Sequence, residues 1–158
     1  MIVGNPSSLN SYYGFGEAYI FFGGAFMNST KDVTLLGESY GSGFGKSVSS
    51  ADLNSDGYSD VIVGSGSYNA GAGRSYIFYG GGLMDNWADV VMSGEYGSSF
   101  GNSVSSAGDM NGDGYPDVIV GAPGYSSGSG RSYIFLGGIS MDNQTDITLT
   151  GDPYELGI

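Results

Sequence analysis

Apolar residues fall in short runs, set apart by glycine and polar residues. Val61-Ile62-Val63 and Val118-Ile119-Val120 are apolar at every position. A strand with one face in water alternates apolar with polar side chains, because successive side chains point to opposite faces. Unbroken apolarity over so few residues predicts strands buried on both faces, as in a sheet sandwiched between two others. Composition agrees: glycine is abundant at 31 residues, and Tyr and Phe number 13 and 8. Glycines mixed with aromatic and β-branched residues predict short strands joined by tight turns.

The pattern repeats. Tyr19-Ile20-Phe21 recurs as Tyr76-Ile77-Phe78 and Tyr133-Ile134-Phe135, at steps of 57 residues. Gly23-Gly24, Met27 and Asp32-Val33 recur at the same step, as Gly80-Gly81, Met84 and Asp89-Val90, then Gly137-Gly138, Met141 and Asp146-Ile147. Phe44-Gly45 returns as Phe100-Gly101 after 56, and an inserted Gly108 restores 57 from Asp52 to Asp109 onward. Ile2-Val3-Gly4 matches Ile62-Val63-Gly64 at a step of 60, so the first connection is three residues longer.

Each full unit reads as four strands. The first is expected near 44–51 and 100–107, the second near 60–64 and 117–121. The third is expected near 74–79 and 131–136, the fourth near 89–93 and 146–150. Four strands in about 40–50 residues is the blade size of a β-propeller. The expected fold is therefore all-β: a propeller of four-stranded antiparallel blades, about three per chain, the first lacking its first strand. Residues 1–158 divide into a partial blade at 1–37, blades at 38–94 and 95–151, and the start of a further strand at 152–158. Leu156-Gly157 stands there in place of Phe-Gly. Closed propellers have about 4–8 blades, and an open arc exposes apolar blade faces and a strand edge. Self-association is expected to close the ring, two copies giving six blades. The competing reading is a piece of a longer propeller.

Two acidic loops sit at one phase of the repeat. Residues 52–60 read Asp-Leu-Asn-Ser-Asp-Gly-Tyr-Ser-Asp, and residues 109–117 read Asp-Met-Asn-Gly-Asp-Gly-Tyr-Pro-Asp. Oxygen donors stand at positions 1, 3, 5 and 9, with a backbone carbonyl available at 7. Ca²⁺ takes 6–8 oxygen ligands, and glycine at position 6 permits the sharp turn a wrapping loop needs. The expected ligands are the side chains of Asp52, Asn54, Asp56 and Asp60 with the Tyr58 carbonyl. The second set is Asp109, Asn111, Asp113 and Asp117 with the Tyr115 carbonyl. An EF-hand would need Glu at position 12 between helices; Val63 and Val120 stand there, inside expected strands. Mg²⁺ suits so complete a protein cage poorly. The alternative is a pair of metal-free polar turns, since Asp, Asn and Gly are ordinary turn residues. Affinity is expected around 10⁻⁵–10⁻³ M, weak enough that the sites fill outside cells and stay empty in a cytosol.

Phe-Gly-x-Ser-Val, then Asp-x-Asn-x-Asp-Gly-x-x-Asp, then Val-Ile-Val-Gly-Ala-Pro, resembles the FG-GAP repeat of integrin α-chain propellers. The unit from Phe100-Gly101 to Gly121-Ala122-Pro123 matches most closely. The preceding unit has Gly64-Ser65-Gly66, and the partial one Gly4-Asn5-Pro6, in place of Gly-Ala-Pro. The resemblance covers nearly the whole chain. It implies Ca²⁺ loops that join strands one and two of a blade.

Charge and missing residue types narrow the function. Sixteen acids against 4 bases give a net charge of -12, and 6 of those acids lie in the two loops. Two Ca²⁺ ions, contributing four charges, would bring -12 to -8. So acidic a chain is not expected to bind nucleic acid. No apolar run approaches the ~20 residues of a membrane span, so no membrane insertion is expected. No signal peptide is seen. Without Cys or His, disulfides, thiolate sites, Ser-His-Asp chemistry and most zinc sites are excluded.

Arg74 and Arg131 hold equivalent positions, with Glu17 at theirs in the partial unit; they are read as partners of nearby acids, or as an anion site. Trp87, the single tryptophan, is a candidate stacking platform or interface anchor, or simple surface packing. Asn28-Ser29-Thr30 and Asn143-Gln144-Thr145 fit the glycosylation pattern. The leading reading is a non-enzymatic, Ca²⁺-stabilised scaffold for recognition or adhesion, extracellular or at the cell surface, with a protein or glycan ligand. A lectin-type propeller is the alternative. An accessory domain of a hydrolase is the rival from another class, with carboxylates as acid and base.

Overall fold

The structure is a computed structural model that describes residues 1–7, 14–24, 28–82 and 84–151. The further strand expected at 152–158 lies outside them. Eleven strands are present among the described residues, in three antiparallel sheets. The first sheet holds β1 (Ile2–Asn5), β2 (Glu17–Ile20) and β3 (Val33–Leu36) in that order. The second holds β4 (Ser47–Ala51), β5 (Asp60–Ser65), β6 (Arg74–Phe78) and β7 (Val90–Ser93). The third holds β8 (Ser103–Gly108), β9 (Asp117–Ala122), β10 (Arg131–Phe135) and β11 (Ile147–Thr150). Each sheet is a meander, and the first has three strands, as the sequence predicts.

The registers repeat with the sequence. Val61, Ile62 and Val63 pair with Phe78, Ile77 and Tyr76, and Val118, Ile119 and Val120 pair with Phe135, Ile134 and Tyr133. The inserted residue before the second acidic loop appears as a β-bulge between Ser106 and Gly108. Gly108 has φ 70° there, a conformation open to glycine without a Cβ penalty.

Successive apolar residues of β5 do face opposite ways. Val61 and Val63 join Tyr76, Phe78 and Phe44 in one buried cluster with Ala18, Ile20 and Leu35 of the first sheet. Ile62 joins Ile77, Val90 and Met92 in another with Phe100, Val118, Val120 and Phe135. The middle sheet is thus buried on both faces, the stacking of neighbouring propeller blades. The first strands of the second and third sheets lie side by side. The Ser106 N–H donates to Ser49 Oγ at 3.2 Å, and Lys46 Nζ to Asn102 Oδ1 at 2.7 Å.

The Phe-Gly pairs precede the first strands, which begin at Ser47 and Ser103 rather than 44 and 100. Gly45 and Gly101 have φ of 83° and 80°, which breaks the extended backbone. Phe44 and Phe100 are buried. Each meets its own blade edge-to-face: Phe44 with Tyr76 at 5.2 Å, Phe100 with Tyr133 at 5.1 Å between centroids. Burial of such a ring contributes about 1.5–3 kcal/mol. The connections between strands two and three tighten at 68–71 and 125–128, where Asn69, Ala70, Ser126 and Ser127 all have positive φ.

Candidate metal centre

Each acidic loop joins strand one to strand two of a blade: Asp52 follows β4 and Asp60 opens β5, while Asp109 follows β8 and Asp117 opens β9. The loops are shaped by their own side chains. Asp52 Oδ1 accepts the Asp56 N–H at 3.0 Å, and Oδ2 accepts that of Gly57 at 2.9 Å. Asn54 Oδ1 also accepts from the Asp56 N–H, at 3.1 Å, and Asp56 Oδ1 accepts the Tyr58 N–H at 2.8 Å. The second loop repeats this with Asp109, Asn111, Asp113 and Tyr115, at 2.9–3.1 Å. Gly57 and Gly114, at position 6, have φ of 89° and 94°. The loops also touch each other, since Ser55 Oγ donates to the Gly114 carbonyl at 3.1 Å.

Asp60 and Asp117 differ from the other acids, being wholly buried. Asp60 Oδ2 accepts the Leu53 N–H at 2.6 Å and Oδ1 the Gly80 N–H at 2.7 Å. Asp117 holds Met110 and Gly137 likewise, at 2.7 and 2.9 Å. Each carboxylate thus fastens the start of its loop to the turn after the third strand. Burial pushes the Asp60 carboxyl up from its ordinary pKa. The Gly80 and Leu53 N–H groups oppose that, and the charges of Asp56 and Asp52 add to it.

Among the described residues, no three Asp, Glu, His or Cys side chains converge as a metal-holding group. Their oxygens are turned to backbone N–H groups, and one donor of each set is an asparagine. The donor chemistry nonetheless fits a hard cation. All the side-chain donors are oxygens, and a carboxylate oxygen that accepts one N–H keeps a further lone pair. The field of Asp52 and Asp56 at Asp60 has the sign a cation would relieve.

The fastening role stands apart from any metal. Asp60→Asn leaves one buried N–H facing an amide instead of a carboxylate, an expected loss of about 1–3 kcal/mol. Urea unfolding in excess chelator measures it; an unchanged midpoint would show the clamp to be unimportant.

The FG-GAP repeat profile matches residues 44–78 and 100–135, each stretch enclosing one acidic loop between its Phe-Gly pair and its third strand. Both stretches are FG-GAP repeats. Integrin alpha-7 of Rattus norvegicus is 41% identical over 115 residues, covering 67% of this chain and 10% of its own length. Integrin alpha-6 of Gallus gallus is 41% identical over 106 residues, 64% of this chain and 10% of its own. Integrin alpha-PS3 of Drosophila melanogaster is 39% identical over 128 residues, 77% and 11% respectively. The chain spans about a tenth of the length of these curated relatives.

Position 2 of the FG-GAP loop is a functional residue the sequence reading passed over. Leu53 is fully buried between the second and third blades. Its carbonyl accepts the Gly138 N–H of the third blade at 3.1 Å, while its own N–H is held by Asp60. The loop of one repeat therefore latches the next. The available signal was an apolar residue, Leu53 or Met110, inside an otherwise polar loop.

The two arginines are structural, as the first of their readings had it. Arg74 pairs with Glu38 at 2.5 Å and lies over the Tyr68 ring at 4.1 Å; Arg131 pairs with Glu95 at 3.3 Å and lies over Tyr125 at 3.4 Å. In the partial unit Glu17 instead accepts from the Tyr19 hydroxyl. Trp87 is exposed, as are Asn28 and Asn143 of the two glycosylation patterns. Among the described residues no helix is long and apolar enough to cross a membrane.

Proposed function

We propose that this chain is a calcium-binding, integrin-like propeller segment that serves as a non-enzymatic scaffold for recognition or adhesion, outside the cell or at its surface, with its ring closed by self-association. One observation carries the reading: two FG-GAP repeats hold the same oxygen-donor loop at the same place between strands one and two. Asp52, Asn54, Asp56, Asp60 and the Tyr58 carbonyl would hold one Ca²⁺. Asp109, Asn111, Asp113, Asp117 and the Tyr115 carbonyl would hold the other. Calcium supplies positive charge where carboxylates crowd. The chain's own residues do the remaining work. Asp60 and Asp117 anchor the loops to their blades, and Leu53 ties the first loop to the following blade. A rigid set of blades then presents its connections to a ligand. Tyr40 and Tyr96 stand at 80% and 85% exposure on equivalent connections, and exposed aromatics supply rigid contact area at interfaces. The names of the integrin relatives favour adhesion among the recognition roles.

Isothermal titration calorimetry of the chelated, dialysed chain with CaCl₂ tests the metal sites. Binding of two ions per chain in the micromolar-to-millimolar range is expected. Absence of binding up to millimolar calcium would leave the loops as polar turns.

A further inference from the structure

We propose that the third blade of one copy packs head-to-tail on the first blade of a second copy, by the same contacts that join blades within the chain; this rests on the self-association proposed above. The chain builds its blade junction twice, and each inner junction is a template for the outer one. At the junction of the second and third blades, Leu53, Val90 and Met92 are 0%, 7% and 1% exposed. Their repeat equivalents on the third blade, 57 residues on, are Met110, Ile147 and Leu149. These are 55%, 42% and 54% exposed. They form an apolar face on the outer side of the third blade that nothing in the chain covers among the described residues.

The complementary face is on the first blade. At the junction of the first and second blades, Val61 and Val63 are 4% and 0% exposed. Their equivalents Met1 and Val3 are 66% and 41% exposed. Phe21 and Tyr19 repeat Phe78 and Tyr76, which line that junction from the second blade. The latch has its partner too. Leu53 offers its carbonyl to Gly138, and the repeat equivalent of Gly138 in the first blade is Gly24. Gly24 is exposed, and among the described residues nothing lies within 4 Å of the place a Cβ would occupy. The Met110 carbonyl of one copy is thus matched to the Gly24 N–H of the other.

Unlike faces match here, head against tail. Such a contact between copies is heterologous and closes only if the rotation per copy allows it. Two copies with both junctions made would complete a six-blade ring. Gly121, Gly130 and Gly151 line an open groove of about 370 Å³. In the inner junctions the equivalent glycines lie under Phe44-Gly45 and Phe100-Gly101. In this outer junction the strand start expected at 152–158, with Leu156-Gly157 in place of Phe-Gly, lies outside the described residues.

The test is sedimentation velocity of the whole chain in millimolar calcium across a wide concentration range, with Leu149→Asp on the tail face and Val3→Asp on the head face. The expected results are a two-chain particle for the wild type and a single chain for each variant alone. A two-chain particle should return when the variants are mixed, because each then supplies the intact face the other lacks. Circular dichroism checks that both variants are folded; if either is not, Met110→Ser replaces the tail variant and Val3→Ser the head variant. A wild type that stays single at every concentration overturns self-association itself and gives these faces to another partner. A two-chain wild type whose variants still associate, or whose mixture stays single, overturns the head-to-tail surfaces alone.

Discussion

Replacing Gly73 by valine is expected to unfold the chain or to leave it barely folded at 25 °C. Gly73 has φ 82°, which L side chains rarely adopt. A Cβ there would stand 2.0 Å from the Phe100 carbonyl oxygen and 2.5 Å from the Phe100 nitrogen. Both are backbone atoms of the next blade, held by the Phe100 N–H to Ala72 carbonyl bond at 3.2 Å. They cannot swing aside as a flexible side chain can. Left-handed strain costs about 1–3 kcal/mol, and forced overpacking another 1–3 kcal/mol or more. The total, about 2–6 kcal/mol, is comparable with a whole domain's stability of about 5–15 kcal/mol. Gly130, the equivalent on the third blade, separates the two effects. It has φ 75°, but among the described residues its nearest contact is Pro123 of its own blade at 4.0 Å. Gly130→Val should therefore suffer the strain without the clash. Urea midpoints of the two variants decide it: if Gly73→Val is no worse than Gly130→Val, the close approach between blades carries no weight.

That contrast also shows what kind of information the sequence carried. Val61-Ile62-Val63 announced burial on both faces because a strand's two faces are written in its consecutive residues. The 57-residue repeat then placed the strands of the two full units to within about three residues. The Phe-Gly pairs were placed inside strands by their apolar residue, whereas the glycine's left-handed backbone puts them just outside. The turns at 68–71 and 125–128 were legible only as loops. Asn69, Ala70, Ser126 and Ser127 take positive φ without being glycine, so the surrounding Gly and Ser residues mark a loop but not this tight turn.

The acidic loops were legible as donor sets and illegible as anchors. Spacing alone shows oxygens at positions 1, 3, 5 and 9. It cannot show that Asp60 reaches the Gly80 N–H, or that Leu53 hands its carbonyl to Gly138. Both contacts join residues far apart in the chain, and one of them crosses between blades. Spacing alone therefore marks the position-9 aspartate only as a candidate ligand, whereas the structure shows it clamping two backbone N–H groups.

The clamp bears on the second large effect, the response to calcium removal expected from the proposed sites. An ion that binds only the folded chain stabilises it by about 2.7 kcal/mol at 100 times its Kd. Two independent sites give about 5.4 kcal/mol. At about 2–4 °C per kcal/mol for a chain of this size, excess chelator should lower Tm by about 10–20 °C relative to saturating calcium. Asp56→Asn tests whether the loop carboxylates cause it. The asparagine oxygen can still accept the Tyr58 N–H that Asp56 holds at 2.8 Å; the loop loses a charge and only the exposed bond from Asn54 Nδ2 to Asp56 Oδ2 at 3.2 Å, which water can replace. In chelator its Tm should equal that of the wild type or exceed it slightly, because repulsion with Asp52 and Asp60 is relieved. In calcium it should keep only about half the wild-type gain, from the Asp109–Asp117 loop. Asp60→Asn should instead melt early in both conditions, since its clamp works without metal. A wild-type Tm that ignores calcium would remove the metal from both loops. An Asp56→Asn Tm that falls in chelator would mean this carboxylate is structural as well, leaving repulsion no part in the empty loop.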